Sequence, residues 1–186
     1  NCEIHYTSTD GDVVWPYCEG VDRFGAEIVS NTYKDGQGVI VFNGDVTMIG
    51  YEAFYCRGNL KSIIIPDGVT SIDNGAFANC KNLESVTIGS GVKTIGDEVF
   101  LGCESLKSII IPDSVNEIGY SAFFNCEKLK TATIGSGVRK IGYYAFYNCK
   151  QLVSVNCKPS SPPNKIYAEH DTELWSAFGN TNSNLK

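Results

Sequence analysis

Positive charge is scarce in this 186-residue chain: 15 lysines and arginines face 21 aspartates and glutamates, for a net charge of -6. No basic field is left to attract phosphate, so nucleic acid and anionic membrane surfaces are not expected partners. Long apolar runs are missing too. Nothing approaches the roughly 20 consecutive apolar residues that span a bilayer, and Asn1-Cys2-Glu3-Ile4 does not read as a charged-then-apolar export signal. There are two histidines, His5 and His170, and no paired-cysteine, HExxH or GxSxG pattern. A zinc site or a nucleophile with its base therefore finds no support, and no enzyme activity, metal or cofactor is expected. No Asn-x-Ser/Thr acceptor for an N-linked glycan occurs either.

What the chain has instead is a period. Leu60, Leu83, Leu106, Leu129 and Leu152 step by 23, as do Phe54, Phe77, Phe100, Phe123 and Phe146, and Ile49, Ile72, Ile95, Ile118 and Ile141. A repeat of this length is one supersecondary unit that cannot cover its own apolar face, so the units must stack as a solenoid. In the unit from Leu106, Ile109 and Ile111 alternate with Ser108 and Ile110, which predicts a short strand ended by Pro112. Ile118, Ala122, Phe123 and Cys126 then recur at i, i+4, i+5 and i+8, which predicts a short helical turn forming the opposite wall. If strands stack more closely than helical turns, the sheet becomes the concave face. Units alternate between an Ile-Pro-Asp corner (65–67, 111–113) and a Gly-Ser-Gly corner (89–91, 135–137), the latter read as glycines at φ > 0. The nucleotide-loop reading of Gly-Ser-Gly lacks the lysine and helix opening it requires.

The ends differ. Asp10-Gly11 and Asp35-Gly36 each separate two strand-like runs, so residues 1–38 are expected to form a β-hairpin cap, residues 39–157 the repeats, and residues 158–186 a degenerate last coil. In that last segment Asp171 is placed as the cap of a short helix reaching Phe178. His170, with Glu169, Asp171 and Glu173, is read as a solvated helix start rather than a metal cluster. Asp10-Gly11-Asp12 is read as a turn, since it lacks the remaining ligands of a calcium loop.

Eight cysteines divide by position. Cys80, Cys103, Cys126 and Cys149 share a column and are expected as free, buried thiols, since a linear row does not converge on a tetrahedral ion. Cys2 and Cys18, outside the repeats, are the best candidates for a disulfide.

The pattern Leu106-x-x-Ile109-x-Ile111-Pro112-x-x-Val115-x-x-Ile118-Gly119-x-x-Ala122-Phe123-x-x-Cys126 resembles the BspA-type leucine-rich repeat, also called the Treponema pallidum type, over about residues 39–157. The segment from Phe24 to Phe42 also resembles amino-terminal segments of such proteins from gut Bacteroidales and related anaerobes. Departures are local: Val99 stands for alanine, Asp73 for glycine, and Cys56 lies one place early. The resemblance implies an α/β-type, right-handed leucine-rich-repeat solenoid with a parallel sheet on the concave face and short helical turns on the convex face. It also implies a secreted or surface-anchored, adhesion-type protein with no common catalytic residues.

Function is then sought on surfaces. On the sheet face the outward residues are Val39 and Val41, Ser62 and Ile64, Ser85 and Thr87, Ser108 and Ile110, Thr131 and Thr133, then Ser154 and Asn156. A rigid stripe of small uncharged side chains suits docking of a protein segment, although β-branched residues also simply suit strands. On the other wall Tyr120, Phe124, Tyr143 and Tyr147, joined by Tyr51, Tyr55, Leu101 and Tyr144, offer an alternative surface for carbohydrate or protein, or else cover the rim of the core. A structural spacer in a larger surface protein is the third reading.

Overall fold

The computed structural model describes residues 2–17 and 22–158. Its 13 strands are β1 (Glu3–Ser8), β2 (Ile28–Lys34), β3 (Gln37–Phe42), β4 (Met48–Ile49), β5 (Leu60–Ile64), β6 (Ser71–Ile72), β7 (Ser85–Thr87), β8 (Thr94–Ile95), β9 (Ser108–Ile110), β10 (Glu117–Ile118), β11 (Thr131–Ile134), β12 (Lys140–Ile141) and β13 (Ser154–Cys157). The period of 23 becomes a stack of coils: 37–59, 60–82, 83–105, 106–128 and 129–151, numbered here 1 to 5. Each coil has three walls. One carries the predicted strand, with β5–β7 and β9–β11–β13 paired in parallel at the one-coil offset. The second is a narrow parallel sheet in the order β12-β10-β8-β6-β4.

The third wall corrects the expectation of a helix: no helix occurs among the described residues. The inward set is as read, with Ile118, Ala122, Phe123, Cys126 and Leu129 all fully buried. The backbone between them is a run of tight turns instead. Ala76, Ala78 and Cys80 donate their N–H to the third residue back (Asp73, Gly75, Phe77), while Gly75, Phe77 and Asn79 donate to Asp97, Val99 and Leu101 in the next coil. In a helix the amides beyond the first turn would all bond within their own segment. Here alternate amides turn along the stack, which needs left-handed residues twice per coil: 52 and 56, 75 and 79, 98 and 102, 121 and 125, 144 and 148. The splay of helical turns that was to curve the solenoid therefore loses its cause. Rings of the phenylalanine column stack at 4.9–5.4 Å from Phe54 to Phe146, close to the ~4.8 Å between strands.

The amino-terminal region is only partly as read. Asp35 and Gly36 both have positive φ, 50° and 80°, the condition for a type I′ turn, and β2 and β3 pair across them. At Asp10-Gly11 only the glycine is left-handed, and residues 13–17 form no strand. The physical reason is that β1 has no free edge. It lies antiparallel between β3 and β5, in the order β2-β3-β1-β5-β7. Residues 13–17 instead lie over coil 1: Val14 N–H donates to the Tyr6 hydroxyl, Asn31 bridges that hydroxyl to the Val14 carbonyl, and Tyr17 N–H reaches the Ala53 carbonyl. Coil 1 has arginine where later coils have the column cysteine, and the Arg57 guanidinium lies 3.9 Å over the Tyr17 ring.

The Gly-Ser-Gly corners also need a different explanation. Gly89, Gly91, Gly135 and Gly137 are not left-handed. They are glycines because the preceding Pro-Asp corner presses against them: a Cβ at Gly137 would sit 2.0 Å from the Asp113 carbonyl oxygen, and one at Gly91 2.0 Å from that of Asp67. The serine between them is tied down as well. Asp67 Oδ1 accepts from Ser90 N–H at 2.7 Å and Asp113 Oδ1 from Ser136 N–H at 2.9 Å. These backbone amides hold both carboxyls below the usual carboxylate range. The alternation of two unit types is thus a matched pair of corners.

Candidate functional surfaces

Sequence places the uncharged stripe on the outward side of the first wall, and the strands put it there. Ile64 and Ile110 are 51% and 64% exposed, while Ile63 and Ile109, one residue earlier, are buried, as the period of two demands. Register aligns Ser62 with Ser85 and Ile64 with Thr87, then Ser108 with Thr131 and Ile110 with Thr133. Ser85, Thr87, Ser108 and Thr131 are exposed; Ser62, Thr133 and Ser154 are half-buried. Val39 and Val41 do not adjoin Ser62 and Ile64, because β1 lies between. His5 faces Val39 on one side and Ile64 on the other, and Glu3 faces Val41. Thr7 and Ser62 share a hydroxyl hydrogen bond of 2.6 Å.

Glu3 and His5 are thus part of this face, which the sequence reading missed by assigning Cys2 to Ser8 to a separate cap. The alternation of Glu3, His5 and Thr7 was visible, but the strand partner was not. Glu3 and His5 pair at 3.3 Å, beside a shallow depression of about 430 Å³ lined by Cys2, Glu3, His5, Ile64 and Pro66.

The aromatic alternative is also brought together. Phe124 and Tyr147 stack at 5.2 Å and 11°, and Tyr144 meets Tyr120 at 5.9 Å and Tyr147 at 5.3 Å, both edge-on. Tyr143 lies 6.5 Å from Tyr144. Tyr51 and Tyr55 are in coil 1, separated from this group by coils 2 and 3.

The column cysteines are free and fully buried. Each thiol donates to a phenylalanine carbonyl of the preceding coil: Cys80 to Phe54, Cys103 to Phe77, Cys126 to Phe100 and Cys149 to Phe123, at 3.0–3.3 Å. Burial pushes the Cys80 thiol up to about 12 and those of Cys103 and Cys126 well above their usual range. Thiolate is the reactive form, so in the native protein a thiol reagent is expected to label exposed Cys56, to label exposed Cys157 more slowly because partial burial pushes its thiol up as well, and to spare Cys80, Cys103 and Cys126 until denaturant is added. Mass spectrometry of the labelled peptides checks this, and native labelling of Cys103 would contradict the ladder. The pairing expected of Cys2 with Cys18 falls outside the described residues, as do His170 and its acidic neighbours. Among the described residues no group of three or more histidine, cysteine or acidic side chains converges on a metal position, and no helix is long and apolar enough to cross a membrane.

With coils, columns and walls in place, the chain can be set beside known proteins. The sequence pattern of the BspA type leucine-rich repeat region matches residues 40–167 in six copies. The chain belongs to this family. Among solved structures, BspA-type repeats here are similar to the Treponema pallidum leucine-rich repeat protein, with 31% identity and a TM-score of 0.60 over 61% of this chain and 53% of that one. A leucine-rich cell surface protein from Faecalibacterium prausnitzii A2-165 shares 35% identity at a TM-score of 0.64, covering 70% of this chain and 34% of that one. A leucine-rich repeat protein from Eubacterium ventriosum ATCC 27560 shares 32% identity at a TM-score of 0.57, covering 62% and 30% respectively. The BspA-type repeats of this chain thus match from about a third to a half of the length of those proteins. A search of curated proteins finds no match.

Proposed function

We propose that this chain is a protein-recognition module of a secreted or cell-surface protein, docking its partner on the sheet face. Membership of the BspA-type repeat family supports a protein-interaction or surface role in general, and one similar structure is described as a cell surface protein. The observation that carries the finer reading is the row His5, Ile64 and Thr87 on β1, β5 and β7, continued by Ile110 and Thr133 on β9 and β11 where the adjoining sheet begins. Two half-exposed isoleucines stand on the hydroxyl-lined strands of two sheets that meet at β7 and β9, one on each sheet, where docking immobilises few long side chains.

The test is capture from host and microbial lysates by the wild type and by a Thr87→Glu/Thr133→Glu variant. Both side chains point outward, so folding should be retained. A partner held by the wild type and lost by at least tenfold in the variant supports the sheet face. A partner held equally by both moves the site elsewhere, and no captured partner favours the structural spacer.

A further inference from the structure

The turn wall is not uniform along the stack. At the positions of Tyr120, Ser121 and Phe124 in coil 4 and Tyr143, Tyr144 and Tyr147 in coil 5, coils 2 and 3 carry Asn74, Gly75 and Ala78, then Asp97, Glu98 and Leu101. Five of these six positions in coils 4 and 5 are aromatic, against none in coils 2 and 3 and two, Tyr51 and Tyr55, in coil 1. Tyr120 and Tyr144 remain 45% and 41% exposed, although edge-on packing with each other and with Tyr147 fixes their rings.

Tyr144 adds a second observation. Its φ is +56°, a conformation that bulky side chains disfavour. The fold requires a left-handed residue there in every coil, and the others meet it with Glu52, Gly75, Glu98 and Ser121. Placing tyrosine there strains the backbone without filling the core, since the ring is exposed. What sets coil 5 apart is that this turn position holds a half-exposed aromatic ring packed edge-on against Tyr120 and Tyr147.

We infer that the tyrosine face of coils 4 and 5 is a binding site for a neutral glycan, separate from the sheet face. Rings with one apolar body and one polar hydroxyl suit a pyranose, whose C–H face is apolar and whose rim is hydroxyl. Charge selects among sugars. Asp97, whose Oδ1 accepts the Tyr120 N–H at 2.7 Å, brings a carboxylate to the edge of the patch. It retains lone pairs for sugar hydroxyls and repels sialylated or sulfated chains.

The experiment is an array of neutral oligosaccharides (cello-, galacto- and N-acetylglucosamine oligomers) with sialylated chains and choline beside them, followed by calorimetric titration of the hits. The variants are Tyr144→Asn, which removes the ring but keeps a residue that tolerates positive φ, and Tyr120→Ser. The expected result is binding of at least one neutral series and none of the sialylated ones. Affinity should fall at least tenfold in Tyr144→Asn, with a melting temperature unchanged or raised, and should be unaffected by the sheet-face pair Thr87→Glu/Thr133→Glu. Absence of neutral-glycan binding, binding of choline alone, or glycan binding that survives both tyrosine variants would overturn the assignment.

Discussion

Phe123→Ala is expected to lower the stability of the chain by about 3–5 kcal/mol, the cost of truncating a large side chain in a packed interior. Its ring is fully buried and stacked between Phe100 at 5.2 Å and Phe146 at 4.9 Å. In a stack each residue serves two boundaries at once. The cavity therefore opens onto both neighbours, and neither coil can close it without giving up its own register. Phe100→Ala, between Phe77 and Phe123, should behave alike. Thermal unfolding followed by circular dichroism checks this. A drop on the order of 10 °C is expected for a chain of this size, and a melting point that moves by only a degree or two would refute the inward column.

The second large effect comes from adding atoms rather than removing them. Gly137→Ala places a methyl 2.0 Å from the Asp113 carbonyl oxygen and 2.9 Å from that of Val115, both backbone atoms of the preceding coil. A flexible side chain could move aside, but a stacked backbone cannot. Relief requires coils 4 and 5 to separate at that corner, which also pulls Ser136 N–H from Asp113. The expected cost is about 3 kcal/mol, at the upper end for overpacking. Gly58→Ala is the matched control: nothing lies within 4 Å of its new methyl, and its φ is not positive. It should be neutral or slightly stabilising, since alanine has less backbone freedom to lose. Denaturant midpoints of the two variants give the comparison, and equal midpoints would show that the corners are not held in contact.

Much of the architecture was legible because it is written as identity at fixed spacing. The Leu, Phe, Ile and Cys columns lie inward as read, and the Asp35-Gly36 turn joins β2 and β3. The helix was misread because spacing of apolar residues at i, i+4, i+5 and i+8 is satisfied equally by consecutive tight turns, and periodicity reports direction, not hydrogen bonding. A corrective signal existed. Positions 79, 102, 125 and 148 hold Asn, Gly, Asn and Asn, residues that favour left-handed backbone. The companion column at 52, 75, 98, 121 and 144 holds Glu, Gly, Glu, Ser and Tyr, and carries no such mark. The position of β1 was illegible for another reason. Its alternation announces a strand, yet pairing across 55 residues, as between Thr7 and Ser62, leaves no local trace. The same gap hid His5 and Glu3 from the reading of the sheet face. The tyrosine cluster was visible as a set of neighbouring columns, whereas the strain at Tyr144 needed the backbone.

The amides that turn along the stack have one more result. Glu52, Phe54 and Cys56 reach forward to coil 2, and Gly75, Phe77 and Asn79 do the same to coil 3, while Asp73 and Gly96, just past strands β6 and β8 of the narrow sheet, reach back to Ile49 and Ile72. A seam between windings is therefore cross-linked as densely as a winding is to itself. The turn wall and the narrow sheet bridge even the seam where the first wall is interrupted between β7 and β9, so loss of order at one point should spread through its neighbours, and melting should be shared along the length rather than proceed bead by bead.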